Sequence, residues 1–486
     1  MALSAKANDI YITQTGTGTG TSCSSPLNVA FFNNSSNWGT GKPIAPATTV
    51  HLCGTFTGTA GEQLLTVQGD GASGSPITIK FESGAVLTAP YWSAFGTINE
   101  NGKSFITIDG GTNGLIENTA NGTSPTFVFQ QQSRAVYADN CTHCTVQNLT
   151  IANLYVHNSV SDTAIDQTSV NCVLANGASN LTINNMTCHD AGWAIAGLGS
   201  NSIVENSNIY NVDHGIACGA SGTLTGLSIH DNHFHDYGAW DTSTDAYHHD
   251  GVHLWGQTGS IVENSVLYNN QFDGNSGACC TTAHIFLQDS IQNVVLFNNV
   301  ILVPSNLSIQ GVELQGPGTT STLPIATNNA AYNNFITDGQ HFQGGGAALF
   351  ARDQNNFTAE NNVLIGGQAD ISVVEGGSLS TTGINHELYD DLKADFGDLN
   401  TFHYQSNPPT TSLATWQSEC TCDANSLLVP GSQINADSTG HLLTGSKGIG
   451  LGTNLTSIAT GMLAPLAKTK SGTQRPTTGA WNAGAY

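Results

Sequence analysis

Histidine and aspartate are concentrated between residues 189 and 253 of this chain, and aromatic residues stand among them. One run reads His230-Asp-Asn-His-Phe-His-Asp-Tyr-Gly-Ala-Trp240, and a second reads Tyr247-His-His-Asp-Gly-Val-His-Leu-Trp255. Imidazole and carboxylate groups serve as general acids, general bases and metal ligands near neutral pH. A loop separates the two runs, and loops on a rigid scaffold are preferred places for binding and catalysis. We therefore expect the functional site in this region.

Five short segments share a small or polar first residue followed by alternating apolar residues. They read Gly215-Ile-Ala-Cys-Gly, Gly251-Val-His-Leu-Trp, His284-Ile-Phe-Leu-Gln, Gly311-Val-Glu-Leu-Gln and Ala348-Leu-Phe-Ala-Arg. Because side chains alternate between the two faces of a strand, the second and fourth positions point inward and the third and fifth outward. The predicted outward columns are Ala217, His253, Phe286, Glu313 and Phe350, and beside them Gly219, Trp255, Gln288, Gln315 and Arg352.

The outward columns contain the residue types of a sugar-binding face. An indole such as that of Trp255 can stack on a pyranose ring, and the amides of Gln288 and Gln315 can bind its hydroxyl groups. Arg352 adds a further donor at the end of the same column. We predict that these four residues, together with Trp240 from the first histidine-rich run, bind the substrate.

Three carboxylates in or beside these columns could perform acid/base chemistry. Neighbouring coils of a solenoid lie about 4.8 Å apart, which would place Asp250 and Glu313, two coils apart, at about 9.6 Å. Carboxyl groups about 5 Å apart suit a retaining glycosidase, and roughly 6.5–9.5 Å suits an inverting one. We predict that Asp250 and Glu313 are the acid/base pair and that Asp213, one coil from Asp250, is a third carboxylate.

Histidines flank these carboxylates, and we expect His214, His249 and His253 to tune or orient them. Their spacing also fits a divalent metal. The candidate sets for a metal are His230, His233 and His235, and His248, His249 and His253. A solvated or hydrogen-bonded histidine is the commoner arrangement, so we predict no metal site, and calcium is the one cofactor left open.

Short apolar-x-apolar stretches followed by Asn recur from about Ser104 to Ser378. Examples are Leu181-Thr-Ile-Asn-Asn, Ile203-Val-Glu-Asn-Ser, Leu227-Ser-Ile-His-Asp-Asn, Ile261-Val-Glu-Asn-Ser and Val294-Val-Leu-Phe-Asn-Asn. Their spacing is that of a solenoid, in which one repeat takes roughly 20–45 residues. Asn tolerates a left-handed turn and can hydrogen-bond to the Asn of the next coil. The sequence therefore predicts an all-β, right-handed parallel β-helix, because a β-sandwich would not explain the phase of the Asn residues.

We predict three regions: an N-terminal cap with the first coils (8–103), a central β-helix with the cleft (104–380), and a C-terminal coil and capping segment (381–486). In the last region, the charged stretch from Glu387 to Phe396 is compatible with a helix. The chain ends in Gln474-Arg-Pro-Thr-Thr-Gly-Ala-Trp-Asn-Ala-Gly-Ala-Tyr486. This ending resembles the closing motif of bacterial secreted β-helix proteins of the pectate-lyase-like superfamily. The resemblance implies an architecture, which does not define an activity.

Polygalacturonases, a family of β-helix hydrolases, offer the nearest mechanistic comparison. His248-His249-Asp250-Gly251 resembles their Asn-Thr-Asp-Gly, with only Asp and Gly kept. Asp213-His214-Gly215 resembles their Gly-His-Gly, with Asp at the first place. The order of the two motifs along the chain is reversed and no Arg-x-Lys follows, so the likeness indicates a shared coil geometry and not membership of that family.

The charge of the chain excludes several classes of partner. Lys and Arg total 11 against 35 Asp and Glu, which gives a formal net charge of −24. Nucleic acid and anionic membrane surfaces both require a basic surface, so neither is an expected partner. No apolar run reaches the length of a membrane-spanning helix. Ala5-Lys6-Ala7 fits the cleavage site of a signal peptide, which predicts a secreted, extracellular or periplasmic protein.

The 11 cysteines support an oxidising compartment. Several stand close together in the chain, and a disulfide framework explains these pairs better than zinc, because the one Cys-x-x-Cys lacks a second half at finger-like spacing. Cys23 and Cys53 are predicted to form a clip across the N-terminal cap. The odd count leaves one thiol over, and Cys218 is the predicted free cysteine, since its strand position suits a small apolar residue.

The leading functional hypothesis is a secreted, monomeric glycoside hydrolase that acts on a neutral or weakly charged polysaccharide. A polysaccharide lyase for a uronic-acid polymer is the first alternative. Between Ser104 and Leu392 the chain has no Lys and only Arg134 and Arg352 as Arg, which disfavours a lyase that must neutralise a uronate. A non-catalytic protein that binds glycan or forms structure is the second alternative.

Overall fold

The computed structural model describes residues 9–128, 130–157, 167–240, 248–257, 259–277, 280–302, 310–318, 321, 323–337, 347–366, 369–376, 378–391 and 401–486. The chain divides into two compact units, Met1–Ala217 and Cys218–Tyr486. In each unit, short strands pair in parallel from one coil to the next. The predicted all-β parallel β-helix is therefore confirmed. The three regions proposed from the sequence stay a prediction.

The strands of the first unit form three rows, and alternation of apolar and polar residues decides which side of each strand is buried. In Ile77–Phe81 the first, third and fifth side chains are buried and the other two are partly exposed. The strands are Asp9–Thr13, Leu27–Asn28, Thr49–Leu52, Thr55–Thr57, Leu65–Thr66, Ile77–Phe81, Val86–Ala89, Ile98–Asn99, Ile106–Asn118, Ser133–Tyr137, Thr145–Ala152, Val170–Leu174, Thr182–Asn184, Thr187–Ala196, Ile203–Glu205 and Asn208–Gly219. The longest of them turn a corner and contribute to two rows.

The strands of the second unit form four rows. The row that contains the candidate site comprises Asp250–Trp255, Ala283–Gln288, Gln310–Gln315, Ala347–Arg352, Ala369–Val374 and Phe402–Tyr404. The other strands are Thr223–Thr225, Ser228–His230, His233–His235, Ile261–Tyr268, Gln271–Asp273, Ile291–Phe297, Val300–Leu302, Ala326–Thr327, Ala330–Tyr332, Phe335–Thr337, Gln354–Asn355, Phe357–Glu360, Val363–Ile365, Leu379–Asn385, Leu388–Asp390 and Leu427–Val429. We call the first of these rows the site row.

Asn side chains connect the coils at the ends of the strands, as their recurrence predicts. In the first unit, Asn148 and Asn185 have φ angles of 55° and 52°, and the Asn185 amide donates to Asn148 Oδ1 at 2.8 Å. In the second unit, a buried ladder of side chains runs through Asn270, Asn299, Asn334, Asn362 and Glu387. Each amide in the ladder donates to the next coil, so buried polar groups are satisfied and the register is held.

Helices are short and lie outside the strand rows. Within the described ranges, the α-helices are Val29–Asn33, Leu413–Cys420 and Gly431–Ile434, and the 3₁₀ helices are Ser35–Asn37, Gln167–Ser169, Gly238–Trp240 and Gly461–Ala467. The helix predicted from Glu387 to Phe396 is wrong at its beginning, where the buried strand Leu388–Asp390 pairs with the coil before it. Residues 392–400 lie outside the described residues. Among the described helices, none has the length and apolar character that crossing a membrane requires.

The closing motif packs against the strands of the second unit. The Arg475 guanidinium lies over the Trp481 ring and donates to Asn298 Oδ1 at 2.9 Å. Trp481 belongs to an apolar cluster with Tyr268 and Phe297. The last residues of the chain therefore pack on the strands of the second unit, and the resemblance to secreted β-helix proteins implies such a closing segment.

The cysteine predictions are confirmed where the structure describes them. Cys23 and Cys53 form a disulfide, and Cys218 is buried and takes part in none of the described disulfides. The further described disulfides are Cys141–Cys144, Cys172–Cys188 and Cys420–Cys422, and Cys280 is also disulfide-bonded.

Candidate functional site

The site row has the register that the aligned segments predict. His253 pairs with Phe286, Phe286 with Glu313, and Glu313 with Phe350. The neighbouring column runs from Trp255 through Gln288 and Gln315 to Arg352 in the same way. The intervening Val, Leu and Ile side chains are fully buried, which fixes the face on which the two columns lie.

Asp250 begins the first strand of the site row, and its carboxyl group is fully buried. Its Oδ1 atom accepts a hydrogen bond from the Ala283 backbone N–H at 2.9 Å. Its Oδ2 atom lies 3.3 Å from His248 Nε2 and 3.7 Å from His253 Nδ1. The expectation that Asp250 points outward is therefore wrong, because the carboxylate turns along the strand ends to meet the next coil.

His253 links the buried aspartate to the outward columns. Its Nε2 atom lies 3.1 Å from Gln288 Oε1, and its ring stacks on Phe286 with centroids 4.5 Å apart. The Trp255 indole lies on its other side at 4.6 Å. The carboxylate oxygen near one ring nitrogen and the amide oxygen near the other hold the orientation of the imidazole between Asp250 and Gln288.

Glu313 is the carboxyl group in the middle of the first column. Glu313 is only 8% exposed, so it is more buried than the outward position predicted from the sequence suggests. Phe286 and Phe350 flank it in the column. Burial raises the pKa of the Glu313 carboxyl to about 7, with Arg352 lowering it and Asp250 raising it. A carboxylic acid with such a pKa can hold a proton at neutral pH and release it during a reaction.

The second column is more open than the first. Trp255, Gln288, Gln315 and Arg352 are all half-buried, so each presents part of its side chain to solvent. A Cβ atom at Gly219 would come within 2.5 Å of the Trp255 indole, so glycine at this position leaves room for the ring. The Arg352 guanidinium lies 3.3 Å from a Glu375 carboxylate oxygen, which compensates part of its charge. The column thus offers a ring, two amides and a cation side by side.

Two predicted site residues of the second unit lie in the interior. Trp240 is 1% exposed, so its ring packs in the core and cannot stack on a sugar in this conformation. His249 is fully buried, with Nε2 facing the Ser276 carbonyl at 3.4 Å and its ring near Tyr237. The predicted roles of Trp240 in substrate binding and of His249 in tuning the carboxylates stay predictions, and both side chains lie before the strand that begins at Asp250.

Asp213 and His214 belong to the first unit, where both are buried. His214 Nδ1 lies 2.5 Å from Asp213 Oδ2, and the Trp193 ring lies 5.4 Å from the imidazole. The imidazole is therefore oriented by its neighbour in the chain. The catalytic roles of Asp213 and His214, and the spacing of Asp213 from Asp250, stay predictions.

The sequence did not reveal a chain of hydrogen bonds that connects Arg134, Asn171 and Trp193 on successive strands of the first unit. Arg134 pairs with Asn171 in the register, and its Nε atom donates to Asn171 Oδ1 at 2.9 Å. The Asn171 amide donates in turn to the Trp193 carbonyl at 2.8 Å. The available signal was the rarity of cations, since Arg134 is one of two Arg residues between Ser104 and Leu392.

One set of residues on the site row could hold a metal. His248, Asp250 and His253 each present a ligand atom, and these atoms lie within 4.8 Å of one another. In the candidate set of His248, His249 and His253, the His249 side chain is buried beside the Ser276 carbonyl, and Asp250 is the residue that lies with the other two. In the other predicted set, each imidazole contacts a carboxylate of its own: His230–Asp231, His233–Asp273 and His235–Asp236.

The fold defines the class of this protein as a parallel β-helix, and one row of its strands brings carboxyl groups, histidines and half-buried polar side chains together. No protein-family profile and no curated protein matches the chain. Among solved structures, "pectate lyase Pel9A" is 14% identical with a TM-score of 0.47, covering 100% of this chain and 97% of that one. The tailspike protein of E. coli bacteriophage HK620, with pentasaccharide, is 12% identical at 0.47, covering 82% and 75%. The PL6 family alginate lyase AlyGC is 12% identical at 0.43, covering 74% and 51%. Likenesses this distant leave the function to the site itself.

Proposed function

We propose that this chain cleaves a polysaccharide on the site row, as a glycoside hydrolase. The observation behind the proposal is the position of the Glu313 carboxyl, which is buried between Phe286 and Phe350 on the site row, and this burial raises its pKa to about 7. A glycosidase needs one carboxylic acid that gives its proton to the leaving oxygen. The half-buried column of Trp255, Gln288, Gln315 and Arg352 beside it supplies the groups that bind sugar rings and hydroxyls.

The reaction assigns a separate step to each group. Glu313 donates its proton to the glycosidic oxygen as the bond from that oxygen to the anomeric carbon breaks. For His253 to take a proton from the attacking water, its Nε2 atom must exchange Gln288 Oε1 for that water, and the buried Asp250 carboxylate near Nδ1 then stabilises the imidazolium that forms. Asp250 is therefore a positioning residue in this scheme, in place of the direct acid/base role expected from the sequence.

A polysaccharide lyase is the second candidate, and the contact between His253 and Asp250 favours it. The same imidazole could remove the proton next to a uronate carboxyl group while Glu313 protonates the leaving oxygen. Arg352 would face the uronate, although its contact with Glu375 compensates part of its charge. A protein that binds glycan without cleaving it is the third candidate and would use only the second column.

Disulfides support a location outside the cytosol. Cys23–Cys53 and Cys172–Cys188 join residues that are far apart in the chain, and such bonds persist in oxidising compartments. We propose a secreted or periplasmic enzyme that meets its polysaccharide as a monomer.

One screen separates the three candidates. The purified chain is incubated with neutral and uronic-acid polysaccharides, and reducing ends and the ultraviolet absorbance of unsaturated sugars are followed together. New reducing ends without unsaturation support the hydrolase, and both signals together support the lyase. Retardation in affinity gels without either signal would leave only the binding protein and refute an enzymatic function.

A further inference from the structure

A Cys-x-x-Cys turn in the first unit lies against a buried carboxyl group. Cys141 and Cys144 stand in the turn between the strands Ser133–Tyr137 and Thr145–Ala152, and both cysteines are buried. Glu100 follows the strand Ile98–Asn99 one coil earlier and is fully buried as well. None of these three residues belongs to the site row.

The Glu100 carboxyl group has no described hydrogen-bond partner at either oxygen. Burying a carboxylate without donors is costly, and proteins normally offset that cost with a cation, a metal ion or hydrogen bonds. The sulfur atoms of Cys141 and Cys144 lie close to this carboxyl group. One carboxylate oxygen and both Sγ atoms lie within 4.8 Å of one another.

These distances suit a thiophilic metal ion. Zinc takes Cys sulfur at about 2.3 Å and carboxylate oxygen at about 2.0–2.2 Å, usually with four ligands. The Lys103 carbonyl oxygen lies 3.4 Å from Cys144 Sγ and could serve as a further ligand. The turn itself reaches the surface, because Asn140, just before Cys141, and His143, just before Cys144, are exposed.

The disulfide between these cysteines is a weak staple. It joins residues separated by 3 in the chain, whereas Cys23–Cys53 joins residues separated by 30. A disulfide stabilises a fold mainly by shortening the loops of the unfolded chain, and this effect grows with loop length. A stabilising role of the disulfide therefore does not explain why these two cysteines lie beside a buried carboxyl group.

We propose that Glu100, Cys141 and Cys144 form a redox-controlled binding site for a divalent cation of the zinc type. A dithiol reductant supplies two electrons and two protons, the S–S bond breaks to give two thiols, and the reductant leaves as its own disulfide. The cation then displaces the thiol protons and any proton on the carboxyl group, and it is held by two thiolates and one carboxylate.

Zinc binding to the full chain tests this site. The protein is reduced, freed of reductant without air and titrated with Zn²⁺, with binding followed by calorimetry and native mass spectrometry. Reduced wild type should bind Zn²⁺, and the Cys141→Ser, Cys144→Ser double variant should lose that binding. The matched control is Cys420→Ser with Cys422→Ser, which removes another short disulfide and should leave the binding unchanged. Glu100→Gln should weaken binding at least about 10-fold, since losing even an outer partner of a metal ligand costs this much.

Alkylation gives a second measurement that does not depend on how the variants fold. In reduced wild type, Zn²⁺ should slow the reaction of iodoacetamide with Cys141 and Cys144, as peptide mass spectrometry reports, and should leave Cys420 and Cys422 unaffected. Equal alkylation of the first pair with and without Zn²⁺ would overturn the proposal. Wild-type affinity in the Glu100→Gln variant, or in a folded double serine variant, would overturn it too.

Discussion

Replacing Glu313 by Gln should abolish most of the activity and yet stabilise the fold at alkaline pH. The substitution keeps the size of the side chain and removes the proton that the proposed reaction transfers. Loss of a general acid costs about 10²–10⁴-fold in rate. Reducing-end release on a polysaccharide that the wild type cleaves measures this loss, and the rate of the wild type itself should fall as the pH rises above about 7, because the acid is then ionised.

The stability effect follows from the same carboxyl group. Burial raises the pKa of Glu313 from 4.5 to about 7, so between these values the folded chain keeps a proton that the unfolded chain has released. Raising the pH through this window therefore destabilises wild type, by about 3 kcal/mol once the pH exceeds 7. Gln cannot ionise, so Glu313→Gln should escape this loss. Urea unfolding at about pH 4 and about pH 8 measures the difference.

Glu360→Gln is the matched control for this prediction. Burial raises the pKa of the Glu360 carboxyl as well, but the residue lies on the strand Phe357–Glu360, outside the site row. It should keep wild-type activity. Full activity in Glu313→Gln, or equal loss in both variants, would refute the assignment of the general acid.

Three further predictions concern positioning, substrate binding and stability. Asp250→Asn keeps the acceptor for the Ala283 N–H and removes the charge beside His253. The variant should fold normally, as circular dichroism reports, and its kcat should fall about 10²–10⁴-fold. A wild-type kcat would count against the proposed imidazole base. Trp255→Ala should raise KM about 10-fold with little change in kcat, because a stacking ring is worth roughly 1–3 kcal/mol; an unchanged KM would remove Trp255 from the binding site. Replacing Cys23 and Cys53 by two serines should lower the free energy of unfolding, measured in urea, by about 3–4 kcal/mol, since their disulfide closes a loop of 30 residues. A loss of stability no larger than that from removing Cys420–Cys422 would contradict the loop-closure argument.

The local pattern of the sequence determined the coil architecture and the strand register. A period of two between apolar residues places side chains on one face or the other, and Asn at the strand ends marks where each coil turns. For this reason the order His253, Phe286, Glu313 and Phe350 could be written down from aligned segments alone. Cys218 could be identified by the same reasoning as the cysteine outside the described disulfides, since its strand position suits a small apolar residue.

Tertiary structure alone decided how deeply each polar group is buried and which groups meet. Alternation predicts a direction for a side chain within a strand, but it has no meaning at the strand ends, where Asp250 and His249 turn into the interior. The depth of Glu313 depends on aromatic neighbours from other coils, and burial is what raises its pKa to about 7. Glu100 lies about 40 positions before Cys141 and Cys144 in the chain, and only the stacking of one coil on the next brings the carboxyl group to the sulfurs.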